Sequence, residues 1–207
     1  MRLYDSNIPS GNGYKVRLLC AQLGLSYELE ELDILSTPSE TRRPGFLAKN
    51  PNGRIPTLEL DDGRLLPESN AILFFLAEGS PLLSGDRFAR AQTLQWMFFE
   101  QYSHERFVAV LKLWTYWGGL EQLREDELQR LRTQGQQALD VMEQHLATRQ
   151  FFVADRYGIA DIALFAYTQS ADAIGLRTGL ATRSWLDRVR AQPGYVPIKP
   201  DPLGKAP

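Results

Sequence analysis

The chain has 207 residues, of which 43% are hydrophobic and 23% charged, and its formal net charge is −2. This length and composition predict a soluble protein of one domain or two small ones, and exclude a general electrostatic attraction to nucleic acid or to an acidic membrane. One cysteine and two histidines exclude an internal disulfide framework and an ordinary zinc site, so we expect no metal. The sequence shows neither a secretory signal pattern nor a membrane-spanning apolar stretch, so we expect a cytoplasmic protein.

The first third of the chain predicts alternating strands and helices. Gly24 follows the first helix at a position typical of a left-handed cap. Asp61-Asp62-Gly63 has the chemistry of a hairpin turn. The order βαβαββα predicts a thioredoxin-like α/β sandwich, and its predicted elements are strands at 2–4, 25–34, 57–60 and 64–66 and helices at 14–23, 44–49 and 69–78.

The remainder of the chain predicts only helices. Residues 88–117 contain no proline and have apolar residues at helical spacing, which predicts one long amphipathic helix. Residues 128–146 predict its antiparallel partner, and two shorter helices follow at 159–173 and 182–190. We therefore expect an α+β protein of two domains, with a thioredoxin-like domain at 1–79, a linker at 80–87 and an all-helical bundle domain at 88–207.

A proline at the start of the third predicted strand is the first candidate binding feature. Pro56 has no N–H to donate, so it belongs at the first position of a strand, at a bulge or at an edge. If the Ile55–Pro56 bond is cis, the backbone N–H and C=O of Ile55 are left for an extended, peptide-like ligand. The alternative is an edge strand with a trans proline, which is the commoner form of the bond.

The start of the helix at 69–78 is the second candidate. The hydroxyl of Ser69 and the nearby backbone N–H groups lie at the positive end of the helix dipole, which suits a carboxylate. Glu68 supplies a negative partner for an ammonium group. The pair could therefore hold both charges of an amino acid, and the alternative is ordinary capping by Ser69 with Glu68 in solvent.

Three stretches of the chain resemble the glutathione transferase superfamily. They are Asn50-Pro51-Asn52-Gly53-Arg54-Ile55-Pro56-Thr57-Leu58, Glu68-Ser69-Asn70-Ala71-Ile72 and Ile159-Ala160-Asp161-Ile162-Ala163. The resemblance covers nearly the whole chain and implies a homodimer, a cis Pro56 and glutathione bound between a thioredoxin-like and a helical domain. It also implies that the Ile55 backbone pairs with the cysteinyl part of glutathione. Glu68 and Ser69 would then hold its γ-glutamyl end, and Arg54 would lie near its glycyl end.

One position departs from the pattern of this family. Its buried central helix usually begins with Ser or Thr three residues before the aspartate, and here that position is Gly158. Glycine is an acceptable N-cap that costs only a few tenths of a kcal/mol relative to serine. We therefore expect the same helix with a weaker start.

The segment Ile8-Pro9-Ser10-Gly11-Asn12-Gly13-Tyr14-Lys15 has the outline of a phosphate-binding loop before a helix. It lacks both the Gly-Lys-Ser/Thr of a Walker loop and the third glycine of a dinucleotide fingerprint. Its glycines are instead expected to let the backbone approach a small ligand. No cysteine lies at this helix start, and Cys20 is expected to be a core residue, so the reactive thiol must come with the ligand.

The resemblance places Ser10 where serine-type enzymes of the theta-like and bacterial groups carry their catalytic hydroxyl. Ser10 would donate a hydrogen bond to the glutathione sulfur and favour its thiolate. Asn12 is an alternative donor, because this segment also resembles the Thr-Pro-Asn-Gly-x-Lys stretch of bacterial Nu-class enzymes, which are linked to glutathione-dependent disulfide reduction. Tyr4 is a third alternative, as in tyrosine-type classes, and a plain turn role for Ser10 stays open.

The pocket for a second substrate is expected on the long helix at 88–117, with Tyr102, His104, Arg106 and Trp114 as candidates. Core packing of Tyr102 and Trp114 and solvation of Arg106 are equally open, and no partner positions His104 as a base. These features predict a glutathione transferase that uses glutathione as co-substrate against an electrophilic small molecule, as in detoxification. The alternatives are a glutathione-dependent disulfide oxidoreductase and a non-catalytic interaction module of the same fold.

Overall fold

The computed structural model describes residues 1–200, which form two compact units. The first unit consists of Met1–Glu78 together with Pro193–Lys199, and the second contains Gly79–Gln192. The elements of the first unit are β1 (Arg2–Ser6), α1 (Gly11–Leu23), β2 (Glu28–Leu32), α2 (Pro44–Leu47), β3 (Thr57–Glu59), β4 (Leu65–Pro67) and α3 (Ser69–Leu76).

The sheet of the first unit has the strand order β2-β1-β3-β4. β1 pairs in parallel with β2 and antiparallel with β3, and β3 pairs antiparallel with β4. This confirms the predicted βαβαββα order and the thioredoxin-like class. The sheet and the packed helices α1 and α3 enclose a core of Leu3, Val16, Cys20, Leu58 and Ile72, each at most 1% exposed.

The second unit is entirely helical, as predicted. Its main elements are α4 (Arg87–Phe99), α5 (Arg106–Leu113), α6 (Glu125–Leu146), α7 (Ile159–Thr168) and α8 (Leu180–Arg190). The helix predicted at 88–117 is not a regular α-helix, because π-helical segments at Glu100–Glu105 and Trp114–Gly118 interrupt it. Each π turn shifts the following side chains around the axis, which a search for a 3.6-residue period cannot detect. No helix of residues 1–200 is long and apolar enough to cross a membrane.

Helix α7 is buried along its whole length and begins at an aspartate-centred cap. The fully buried Asp161 carboxylate accepts hydrogen bonds from the Gly158 N–H at 3.0 Å, the Phe152 N–H at 3.2 Å and the Trp185 indole at 2.8 Å. A side chain at Gly158 would place its Cβ 2.8 Å from the carbonyl oxygen of Leu82. Because this space is closed, the Ser or Thr usual at this position does not fit here.

Two predicted domain limits need correction. The segment at 80–87, expected to be a linker, is part of the second unit, where the Leu82 carbonyl accepts a hydrogen bond from Ile159 N–H at 3.0 Å. The tail Pro193–Lys199, expected in the helical domain, packs in the first unit, where Tyr14 donates its hydroxyl proton to the Val196 carbonyl at 2.8 Å. Neither segment has a periodic pattern, so its partner surface could not be inferred from sequence.

Candidate functional site

The first candidate group is the start of α1, where Ser10 is the N-cap. Its backbone is extended, with φ −74° and ψ 129°, and its Oγ accepts a hydrogen bond from the Gly13 N–H at 3.4 Å. A serine hydroxyl that accepts one bond still has a proton to donate. Ser10 therefore presents a donor at the positive end of the α1 dipole, which suits an anion.

Gly13 is required by the packing of the protein itself. A Cβ at this position would lie 1.7 Å from Oδ1 of Asp5. Asp5 is fully buried, accepts a hydrogen bond from the Ser6 N–H at 2.7 Å and lies 3.4 Å from the Arg17 guanidinium. Burial raises the pKa of Asp5, and the charge of Arg17 opposes that shift. Packing against Asp5 is thus a reason for glycine at this position beside the predicted approach of a ligand.

A fully buried lysine connects the starts of α1 and α3. The Lys15 ammonium donates to Oδ1 of Asn12 at 2.8 Å and to Oγ of Ser69 at 3.4 Å, and Ser69 donates to Asn12 Oδ1 at 3.2 Å. The structure thus brings together two residues that the sequence proposed separately. Lys15 itself was missed, although its i+3 spacing from Asn12 and its place between Tyr14 and Val16 are signals of a buried side chain near the loop.

The turn before α3 has an unusual backbone. Glu68 has φ 72° and ψ 112°, a region that non-glycine residues rarely adopt and that costs on the order of 1–3 kcal/mol. Its side chain is exposed and makes no capping hydrogen bond, and Ser69 is the first helical residue instead of the N-cap. Strain of this kind concentrates at ligand-binding positions.

The segment before β3 lies at the same end of the sheet as Glu68. Thr57 of β3 pairs with Pro67 of β4, so their chain neighbours Pro56 and Glu68 lie next to this pair at one end of the sheet. The Ile55–Pro56 bond is cis, and no hydrogen bond between residues 1–200 uses the backbone of Ile55. The buried Asn50 side chain closes the preceding turn by donating to the Arg54 carbonyl at 2.8 Å, and the Arg54 side chain is exposed.

Two other candidates for thiol chemistry have different environments. Tyr4 is buried and donates its single hydroxyl proton to Glu59 Oε2 at 2.5 Å, with the Lys49 ammonium 5.0 Å from its ring centroid. Its donor is therefore engaged, which favours Ser10 or Asn12. Cys20 is buried, and burial raises its thiol pKa to about 11, so this thiol is poorly suited to exchange.

The four pocket candidates of the second unit do not converge. Tyr102 and Arg106 line a cavity of about 500 Å³ between the α4–α5 segment and α6, together with Phe107 and Arg130. His104 is fully buried, with Nε2 3.0 Å from Oγ1 of Thr168, and Trp114 lies in the second π segment. Within residues 1–200, no group of three or more His, Cys, Asp or Glu side chains is arranged to hold a metal ion.

The Arg106 and Arg130 guanidinium carbons lie 5.2 and 5.6 Å from the centroid of the Phe107 ring. At these distances both cations interact with the face of the ring. The cavity therefore combines an aromatic wall with positive charge, and can accept an apolar molecule that carries an anionic group.

Comparison with known proteins identifies the family. Residues 9–78 match the family model of the glutathione S-transferase N-terminal domain, and residues 125–198 match that of the C-terminal domain. The chain is 33% identical over 190 residues to a maleylacetoacetate isomerase of Pseudomonas aeruginosa, which covers 89% of this chain and 86% of that protein. It is 29% identical over 194 residues to the disulfide-bond oxidoreductase YfcG of Escherichia coli, covering 89% and 88% of the two chains.

Solved structures agree with these matches. A glutathione S-transferase from Pseudomonas fluorescens is 46% identical, with a TM-score of 0.89 over 95% of this chain and 97% of that one. Ure2p in complex with glutathione is 26% identical, with a TM-score of 0.83 over 93% and 95% of the two chains. Both family models and the full-length structural match lead to one conclusion: the chain belongs to the glutathione S-transferase superfamily.

Proposed function

We propose that this protein binds glutathione in its first unit and stabilises the glutathione thiolate for attack on an electrophilic small molecule. The observation that carries the proposal is the contact of Asn12 and Ser69 with the buried Lys15 ammonium at the helix start that Ser10 caps. Two hydrogen-bond donors, a cation and a helix N-terminus favour an anion at the same place. The glutathione bound by the structural relative Ure2p supports this choice of ligand.

The free energy needed to stabilise the thiolate is within the range that these groups supply. A free thiol has a pKa of about 8.5, and lowering it by about two units requires about 2.7 kcal/mol. A charge-assisted hydrogen bond contributes about 1.5–3 kcal/mol and a helix N-terminus about 0.3–1 kcal/mol. Ser10 or Asn12, aided by the α1 dipole, is therefore sufficient, and neither residue needs to act as a nucleophile.

The rest of the tripeptide would bind along the edge that leads from Ile55 to Ser69. The backbone of Ile55 would pair with the cysteinyl residue, strand to strand. Glu68 and Ser69 would take the ammonium and carboxylate of the γ-glutamyl end, and the exposed Arg54 would meet the glycyl carboxylate. The register of β3 and β4, which places these segments at one end of the sheet, supports this arrangement.

Glutathione-dependent disulfide reduction is the second candidate function. The likeness to YfcG and the direct contact of Asn12 with Lys15 favour it. One glutathione thiolate would attack the disulfide, releasing a thiol and forming a mixed disulfide. A second glutathione would then release the other thiol as glutathione disulfide forms. The buried Cys20 would take no part in either step.

Parallel assays with an electrophilic aryl halide and with hydroxyethyl disulfide separate the two reactions. Thiolate ionisation of bound glutathione, followed by ultraviolet absorbance, tests the shared step: Ser10→Ala or Asn12→Ala should raise the ionisation pH. An ionisation pH that neither variant changes would contradict both assignments. Failure to bind glutathione at millimolar concentration would favour a non-catalytic interaction module.

The assembly and the location of the protein rest on likeness and composition. We propose a homodimer, since the family resemblance implies one, and light scattering of the purified protein tests it. The cytoplasmic location stays a prediction, which localisation of the tagged protein in cells would check.

A further inference from the structure

The amide of Asn12 has a defined orientation. Its Oδ1 receives hydrogen bonds from Lys15 at 2.8 Å and from Ser69 at 3.2 Å, and Ser69 in turn accepts one from Lys15 at 3.4 Å. An ammonium group can only donate, so a flipped Asn12 amide would place its own N–H donors against those of Lys15. Oδ1 therefore faces Lys15, and Nδ2 points to the other side of the amide.

We propose that Lys15 is a positioning residue that makes Asn12, and not Ser10, the principal donor to the glutathione thiolate. By holding Oδ1, Lys15 fixes the donating Nδ2 end of Asn12 in one direction before glutathione binds. This inference rests on the proposed function, since it assumes that the anion at this site is a thiolate.

Ser10 lacks such control. Its Oγ accepts from the Gly13 N–H at 3.4 Å, but no acceptor within residues 1–200 fixes the direction of its O–H. A hydroxyl that rotates freely must be ordered when the thiolate forms, whereas the Asn12 amide is already ordered. A donor that is ordered in advance stabilises a developing charge without reorganisation.

The burial of Lys15 supports a specific role for its charge. Its side chain is 0% exposed, and a buried ammonium is costly unless it is compensated. A methionine would fill a similar volume without this cost.

Ser69 connects the donor to the other end of the ligand. The Ser69 hydroxyl bonds to both Lys15 and Asn12, and Ser69 lies where the γ-glutamyl carboxylate is proposed to bind. Occupancy of the γ-glutamyl position would therefore reinforce the orientation that Lys15 already gives to the Asn12 amide. We expect γ-glutamylcysteine to ionise at the same pH as glutathione, and a thiol that lacks the γ-glutamyl group to ionise at a higher pH.

The test compares Lys15→Met with Lys15→Arg, which keeps a cationic donor, and with Lys112→Met as the matched control. Lys112 is a lysine of the second unit that is only 4% exposed, so its loss reports the general effect of removing a buried ammonium. Lys15→Met should raise the ionisation pKa of bound glutathione by about one unit, which lowers the ratio of thiolate to thiol about tenfold at a given pH. Lys15→Arg should restore the wild-type value, and Lys112→Met should not change it.

A double-mutant cycle separates positioning from an independent charge effect. If Lys15 acts through Asn12, Lys15→Met combined with Asn12→Ala should shift the ionisation pKa no more than Asn12→Ala alone. Full addition of the two shifts would overturn the inference. Combined with Ser10→Ala, the Lys15→Met shift should instead add to that of Ser10→Ala, and a failure to add would also overturn it.

Nuclear magnetic resonance relaxation of the Asn12 side-chain amide tests the positioning without glutathione. Lys15→Met should lower the order parameter of this amide, and an unchanged value would overturn the inference. If the wild type does not bind glutathione, the proposed function fails, while this measurement still decides the role of Lys15. If Lys15→Met does not fold, Lys15→Leu, which also removes both the charge and the hydrogen-bond donor, takes its place in each measurement with the same expected results.

Discussion

Asp161 makes the stability of the second unit depend on pH. Its carboxyl is fully buried, and burial raises its pKa from 3.8 to about 7 against the lowering effect of the Trp185, Phe152 and Gly158 hydrogen bonds. The folded protein therefore holds this proton more tightly than the unfolded chain does. Its stability is highest when Asp161 is protonated in both states, falls as the pH rises from about 4 to about 7, and is level above that range.

The size of this effect follows from the shift. Between pH 5 and 7 the folded state keeps most of one proton that the unfolded state has lost, at about 1.4 kcal/mol per pH unit. The free energy of unfolding should therefore fall by up to about 3 kcal/mol over these two units. Asp161→Asn cannot titrate, so subtracting its pH profile from that of the wild type isolates the contribution of this carboxyl from those of other groups.

Urea unfolding followed by tryptophan fluorescence provides the assay, at several pH values from about 5 to about 8. The stability advantage of the wild type over Asp161→Asn should shrink steadily up to about pH 7 and then stay constant. The variant should be less stable at low pH, because its amide cannot accept all three hydrogen bonds of the carboxyl group. A difference that stays constant over this pH range would refute the reasoning.

Three further predictions follow from other contacts. Gly13→Ala should lower the free energy of unfolding by more than 2 kcal/mol, because its Cβ would lie 1.7 Å from Asp5, and chemical denaturation would measure it; a variant as stable as the wild type contradicts that packing. Glu143→Ala should cost about 1–3 kcal/mol at neutral pH, since the carboxylate accepts three hydrogen bonds from the first turn of α8. The hydrogen bonds from Thr182 and Ala181 outweigh burial and lower the pKa of Glu143, so this difference should shrink as acid protonates it. Tyr102→Ala should raise the KM for the electrophile about tenfold, because Tyr102 lines the cavity of the second unit, while the Kd for glutathione stays constant. Steady-state kinetics measures the KM and calorimetry measures the Kd, and a change in the Kd with an unchanged KM would contradict the prediction.

The elements of the first unit were largely predictable because their signals are local. Gly24 ends α1 with φ 64°, as its position after the last apolar residue predicts, and its N–H bonds to the Ala21 and Cys20 carbonyls. The Asp61-Asp62-Gly63 turn joins β3 and β4 as expected. In each case the residue types that punctuate the chain carry the information, and no distant contact is needed to interpret them.

The candidate site was predictable only in part. Ser10, Ile55 and Ser69 were proposed from helix-start chemistry, proline geometry and family resemblance, and the structure places all three in the first unit. That Ser69 contacts both Asn12 and Lys15 depends on how α1 packs against α3, since Asn12 and Ser69 lie 57 residues apart along the chain. No local pattern reports such a distance.

The sequence by itself determined the strand and helix order, the family and most of the residues proposed to meet glutathione, because turn chemistry, periodicity and short motifs act over a few residues. Only the tertiary structure decided that Gly13 makes room for Asp5, that π turns interrupt the long helix and that the Pro193–Lys199 tail packs in the first unit. It also decided that a buried lysine donates a hydrogen bond to Asn12. These features depend on which surfaces meet in the folded chain, and close packing between distant residues leaves no periodic trace in the sequence.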